Sequence, residues 1–449
     1  MFKTLKNAWK TPTLQKKMLF TLLIVLLYRL GACICVPYVS SSIAESFATV
    51  YGSSALGLMS ILSGGAMQYA TLFALSVNPY ITASIVVQLL TIVFPFMERW
   101  SKEGPEGQKK LNNFTRITTV ILALITSVGY SFMLRSNGWL VRSDWFAMIV
   151  INAAFCAGAA LIMWLSELIN DKGIGNGISI ILFANIISRL PSMVQSLWYG
   201  VIRGTYISGN KVANIFIGSG IAVVIVAVMI ATVGFVVWVT NSERRIPITY
   251  AKRVVGRKMY GGQSTNLPIK LNMTGVMPII FASSIVSIPA TITAFMSNKE
   301  NGFYKFVENF FSPTTWEYLV VYLLLIIFFS YFYIMISFNP VEVANNIASN
   351  GGAVRGIRPG RPTVQYINKI LKRVTLLGAF FLCIVAGLPM LVTVVTTLIR
   401  NANPNASIIN LSSLTFGGSS LLIVVGVVLE TVRDLEAQLS MRMSKGFLD

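Results

Sequence analysis

Long stretches of apolar side chains recur along this chain, separated by shorter polar segments. A helix rises about 1.5 Å per residue, so about 20 apolar residues cross a hydrocarbon layer about 30 Å thick. Ten runs of this kind fall at residues 18–36, 71–97, 117–134, 145–169, 178–199, 212–239, 273–296, 316–338, 374–399 and 416–432. They predict an all-α integral membrane protein with ten transmembrane helices. The fifth run is the least regular, because Arg189 and Pro191 interrupt it. One more apolar segment, SSALGLMSILSGGAMQ at 53–68, is too short and too rich in Gly and Ser to cross. It predicts a short non-spanning helix, which membrane depth tolerates only where protein surrounds it.

Composition agrees with lipid as the solvent. Of 449 residues, 55% are hydrophobic and 12% charged, against about 25% charged in a soluble domain. Mean hydropathy is +0.70. The basic residues are unevenly placed. Of the 36 Lys and Arg, 27 lie in the N-terminus, 98–116, 170–177, 240–272, 339–373 and the C-terminus. These segments alternate along the ten-span order, so the positive-inside rule puts both termini in the cytoplasm. Residues 1–17 are basic, but the run after them ends at Pro37-Tyr38 without a small-residue cleavage site, so it is expected to stay in the membrane. The net charge of +20 suits nucleic acid, a ribosome or anionic lipid as partner.

Ten spans divide into five and five. An odd number per half inverts the second half relative to the first, the arithmetic of an inverted-topology repeat. The second span of each half carries an early proline, in Asn78-Pro79 and Met277-Pro278. Two basic loops, 241–272 and 338–373, alternate cations with Gly, Pro and Tyr, which predicts ordered projections.

Catalytic chemistry is poorly served. The chain has no His, which removes the commonest general base and metal ligand. Cys33, Cys35, Cys156 and Cys383 all lie in apolar runs and are expected to be small buried core residues, not a disulfide framework or a metal site. Gly173-Ile174-Gly175-Asn176-Gly177 lacks the strand–helix context of a phosphate loop and predicts a tight turn between spans 4 and 5. An ion-coupled transporter needs titratable groups at mid-membrane. Here Arg29, Glu167 and Glu430 all sit near span ends, and Arg29 is expected to snorkel or bind backbone carbonyls. An aqueous path closed by an aliphatic constriction fits these features best, because ions and water leave a narrow oily pore. A secondary transporter built on an inverted repeat, and less readily a membrane enzyme, stand as the alternatives.

Several segments together resemble the SecY family of protein-conducting channels. They are SGGA at 63–66, FALSVNPYITASIVVQLLTIV at 73–93, MWLSELINDKGIGNGISIILFANI at 163–186, ITYAKRVVGRKMYGGQSTNLPIKLNMTGVMPIIFASSI at 248–285, FNP at 338–340, GIRPGRPT at 356–363 and FGGSSLLIVV at 416–425. The resemblance implies a clamshell of residues 1–205 and 206–449, hinged between spans 5 and 6. Unfolded, signal-bearing polypeptide would cross its centre, or leave sideways into lipid between spans 2–3 and 7–8. It implies a plug at 53–68, with Ser60, Ile61, Leu62, Ser63, Gly64 and Gly65 in it. The pore ring would be Val77, Ile81, Ile178, Leu182, Ile280 and Ile423. Pro79, Pro278 and Gln88 would belong to the lateral gate, with Gln88 hydrogen-bonding across the closed gate. Arg257, Lys258 and Arg358, in loops 240–272 and 339–373, would dock the SecA ATPase or the ribosome. SecE and SecG would complete the channel in the bacterial cytoplasmic membrane, among anionic phospholipids. No cofactor is implied, and ATP hydrolysis would come from SecA.

Overall fold

A computed structural model describes residues 2–40, 43–51, 57, 60, 63–196, 198, 211–250, 253–255, 258–260, 264–294, 302, 306–307, 310–311, 315–402 and 417–445. A helix covers most of every apolar run. In chain order the helices are α1 (Phe2–Lys10), α2 (Pro12–Gly31), α3 (Ile43–Tyr51), α4 (Asn78–Val93), α5 (Pro95–Lys102), α6 (Pro105–Ser136), α7 (Trp145–Lys172), α8 (Gly177–Ser188), α9 (Leu190–Ser196) and α10 (Lys211–Asn241). They continue with α11 (Met277–Ala294), α12 (Trp316–Ser337), α13 (Pro340–Ser349), α14 (Arg361–Ala402) and α15 (Gly417–Lys445).

Among the described residues, five helices are long and apolar enough to cross a membrane on their own, namely α6, α7, α10, α12 and α14. The pair α4 and α5 makes a sixth candidate if taken as one unit bent by 103°. The bend has a local cause. Phe94 is extended (φ −102°, ψ 116°), as the residue before a proline prefers, and Pro95 then opens α5. The run at 178–199 is broken where Arg189 caps α8 and α9 restarts at Leu190. The 12 residues of α8 reach roughly 18 Å at 1.5 Å per residue, well short of the hydrocarbon thickness.

Lipid explains the surface. Helix α2 exposes Leu19, Leu22, Leu23, Leu26, Leu27 and Leu30, and α10 exposes Val223, Val224, Val228 and Ile230. Apolar belts of this extent on a water-soluble monomer would drive aggregation. Inside, one aliphatic and aromatic core joins α2, α4, α7 and α8 to α10, α11, α12, α14 and α15. The two halves of the chain therefore share a single interior.

Two expectations need correction. The chain is mostly helical, but it is not all-α. The basic loop after α10 forms β1 (Glu243–Tyr250), β2 (Arg253–Val255), β3 (Lys258–Tyr260) and β4 (Ser264–Lys270), and the next basic loop adds β5 (Gly352–Val354). Strand order is β4-β1-β5, all antiparallel, and β2 pairs with β3 as a separate ribbon. Alternation of buried Ile246 and Ile248 with exposed neighbours is the strand signature. Those isoleucines bury against Ile334, Ile347, Val354 and Ile367 in a satellite core. The second correction concerns thiols. All four cysteines are free and Cys383 is buried, but Cys33 and Cys35 are exposed. Helix α2 stops at Gly31, so both lie in the turn that follows, where Cys35 only bridges Thr71.

Candidate functional site

The aliphatic residues singled out by the resemblance fall in one core. Val77 stands immediately before α4, which opens with Pro79 in its first turn, where a missing N–H costs nothing. Ile81 follows one turn later. Helix α8 carries Ile178 and Leu182. Its start is fixed by Asn176, whose side chain accepts from the Ile178 N–H at 3.1 Å, and by Asn170 Oδ1, which accepts from the Gly177 N–H at 2.7 Å. Gly175 has φ +75°, and a Cβ on Gly177 would run into the Ser166 carbonyl. Ile280 sits in the first turn of α11, and Ile423 in α15. Val77, Ile81, Leu182, Ile280 and Ile423 are buried in the same core, and half-buried Ile178 packs against it. Helices from both halves thus contribute branched aliphatic groups to one core, with α4 packed on α11 and α8 on α15.

Beside this cluster lies the end of the short segment. Ile61 and Leu62 fall outside the described residues. Ser60 and Ser63 are buried, and Gly64 and Gly65 adopt φ +67° and +90°, which glycine reaches without strain. The turn closes on itself. The Ser63 hydroxyl donates to the Ser60 carbonyl at 2.9 Å, the Gly65 N–H donates to the same carbonyl at 2.9 Å, and the Met67 N–H donates to Ser63 Oγ at 3.2 Å. Tyr130 of α6 donates to the Met67 carbonyl at 2.6 Å.

A polar network surrounds this turn, and sequence reading did not find it. Asn185 of α8 is fully buried. Its Oδ1 accepts from the Tyr28 hydroxyl at 2.8 Å and from Arg29 Nη1 at 3.3 Å. Its Nδ2 donates to Ser76 Oγ at 3.3 Å. Ser76 has φ +53° and directly precedes Val77. Arg189 Nη2 donates to Ser60 Oγ at 3.1 Å. Arg29 is expected to snorkel or to bind backbone carbonyls; among the described residues its partner is the side-chain amide of Asn185, which α8 brings within reach. The available signal was the amide of Asn185 inside the run at 178–199, four residues before an arginine.

The proline-bearing helices meet as well. Helix α11 packs against α4 and α6, and Pro79 and Pro278 are buried. Gln88 departs from expectation. Its Nε2 donates to Ser84 Oγ of its own helix at 3.4 Å, and its Oε1 is buried without a partner. It faces along α4, so no bond crosses to α11 here. Glu167 near the end of α7 takes a two-point ion pair from Arg116 of α6, at 2.9 and 2.7 Å. Glu430 is exposed on α15.

In the basic loops, Arg358 is exposed between Gly356 (φ +82°) and Gly360 (φ +101°), and its carbonyl accepts from Thr363 Oγ1 at 2.9 Å. Among the described residues no ion pair engages it. Lys258 is in β3, and Arg257 lies outside the described residues. The Lys270 ammonium at the end of β4 is held below the usual lysine range, first by desolvation, then by Arg433, with Glu243 opposing. Arg433 in turn donates to the Thr240 carbonyl at 2.7 Å and to Asn241 Oδ1 at 2.9 Å, tying α15 to the end of α10. No three Cys, Asp or Glu side chains among the described residues are grouped to hold a metal ion.

Comparisons with known proteins agree in direction. The SecY family model matches residues 71–432. The chain is 42% identical over 460 residues to the protein translocase subunit SecY of Streptomyces griseus, covering all of both chains. It is 40% identical over 465 residues to the protein of that name from Corynebacterium glutamicum, covering 98% of this chain and 99% of that one. Among solved structures it is similar to "The structure of a protein conducting channel", with a TM-score of 0.60 at 16% identity, covering 94% of this chain and 92% of that chain. It is also similar to Sec61 in the canine ribosome-channel complex, with a TM-score of 0.57 at 15% identity, covering 94% of this chain and 92% of that one.

Proposed function

The chain belongs to the SecY family, and we propose from that premise that it forms a protein-conducting channel, moving unfolded, signal-bearing polypeptides across a bacterial cytoplasmic membrane. It is a multi-pass membrane protein and a channel subunit, not an enzyme. Its ten apolar helical segments act as ten spans in two inverted halves, 1–205 and 206–449, with both termini cytoplasmic.

The observation that supports this reading is that Val77, Ile81, Leu182, Ile280 and Ile423 are buried in one core shared by both halves, with Ile178 packed against it. These side chains form the pore ring. They offer no ion ligands, and their flexible branches fit around a threading chain while water is kept out. The segment at 53–68 is the plug that backs the ring at rest. The seam where α11 meets α4 and α6 is the lateral gate, through which apolar segments pass into lipid. The uncompensated Gln88 Oε1 favours gate opening, since a buried acceptor without a donor costs about 1–3 kcal/mol.

Partners follow from the surfaces. SecE seats along an apolar groove of about 540 Å³ that straddles the halves, between Leu22, Val25 and Arg29 on one side and Val427, Thr431 and Leu435 on the other. SecG completes the assembly. The exposed guanidinium of Arg358, with Arg257 and Lys258, docks SecA or the ribosome, whose carboxylates and phosphates suit a bidentate fork. The basic cytoplasmic face also attracts anionic phospholipids.

Reconstitution tests the whole. Vesicles holding the chain with SecE, supplied with SecA and ATP, import an unfolded signal-bearing protein. Uptake of a small solute on an ion gradient, without protein import, would establish a secondary transporter in its place.

A further inference from the structure

Two arginines stand against the plug turn, and among the described residues neither has an acidic partner. Arg29 of α2 and Arg189 at the end of α8 are both half-buried. Among the described residues no carboxylate forms an ion pair with either. Among the described residues their acceptors are neutral: Asn185 Oδ1 for Arg29 and Ser60 Oγ for Arg189. The fit is close. A Cβ on Gly64 would stand 2.8 Å from Arg29 Nη1, 3.0 Å from Asn185 Oδ1 and 3.1 Å from Ser188 Oγ, and one on Gly65 would stand 3.3 Å from Arg189 Nη2. Asn185 also holds Ser76 in its left-handed conformation, one residue before Val77. One buried amide therefore touches both the seat of the plug and the start of a ring-bearing helix.

We propose that Arg29, seated against Gly64 and bonded to Asn185, and Arg189, bonded to Ser60, are positioning residues that latch the turn at Ser60, Ser63, Gly64 and Gly65 in its closed place. The latch rests on the plug reading given above. Its strength is graded by its chemistry. Hydrogen bonds from a cation to a neutral oxygen outlast neutral pairs but are weaker than a cation–carboxylate pair. The closed state is thus held firmly enough to stop leakage and loosely enough to release when a client enters. Glycine at 64 and 65 is required twice over, for its backbone conformation and because a side chain would displace the guanidinium groups.

Resting ion conductance of the complex in planar bilayers is the test, with monodispersity of each purified variant as the folding control. Arg189→Ala is expected to raise spontaneous openings about tenfold, the scale of a lost hydrogen bond to a charged group. Ser60→Asp gives Arg189 a carboxylate and is expected to lower openings below the parent. In the double variant Ser60→Asp/Arg189→Ala that lowering disappears. If Ser60→Asp acts equally with and without Arg189, or if neither single change alters conductance, the latch is refuted. A variant lacking residues 57–65 separates the two levels. Unchanged conductance on that deletion sinks the plug reading itself, whereas raised conductance with silent Arg189 and Ser60 variants sinks the latch alone.

Discussion

Single side chains set what the channel wall tolerates. Ile280 is buried among aliphatic neighbours at the start of α11. Ile280→Asn places an amide there, and if Ile280 belongs to the proposed ring, water gains a foothold in a constriction that works by drying. Resting conductance in bilayers should rise severalfold, and Ile81→Asn should behave alike. An unchanged baseline would remove these residues from the ring. Lys270 tests charge. Its proton is held less tightly in the fold than in the unfolded chain, so the unfolded state binds more protons and stability rises with pH through the lowered value. Removing the charge with Lys270→Gln should raise the thermal midpoint of the purified complex slightly at pH 7. That gain should fade as pH approaches about 10.4, where lysine is neutral in both states.

Elements show how much of the fold was legible. The apolar runs were readable because hydrocarbon admits only helices and closed barrels, and continuous runs of about 20 residues suit the helix and not the shorter alternating barrel strand. The turn at 173–177 was equally plain, since its glycines and asparagines fit little else. The break at Arg189 was signalled by the charge and by Pro191. Other features depended on distant chain. Whether Asn185 would meet Tyr28 and Ser76 could not be read from spacing, because 157 and 109 residues separate them. The strands were hidden by the helical period that dominates everywhere else, although the alternation in ERRIPITY was present. Cys33 and Cys35 were misread because apolar neighbours were taken for burial, while α2 ends before them. Strand β1 carries its own prediction. Ile248 is 4% exposed and packs into the satellite core. Ile248→Ala should cost about 2–5 kcal/mol locally, which limited proteolysis will register as faster cleavage in both basic loops while the helical core stays intact.

At the scale of the whole molecule, the proposed docking role of the loop cations carries its own prediction. Arg358→Glu should cut SecA-driven import at least tenfold while the chain still enters the membrane and assembles with SecE. Normal import would show that docking lies elsewhere. The pairing of β5 with β1, through Ile248 with Val354, Thr249 with Ala353 and Tyr250 with Gly352, joins loops that emerge from different helices. Those loops are therefore two grips on one handle. If a motor docks there as proposed, a push on either loop reaches α10 and α11 at one root and α13 and α14 at the other through the same paired strands.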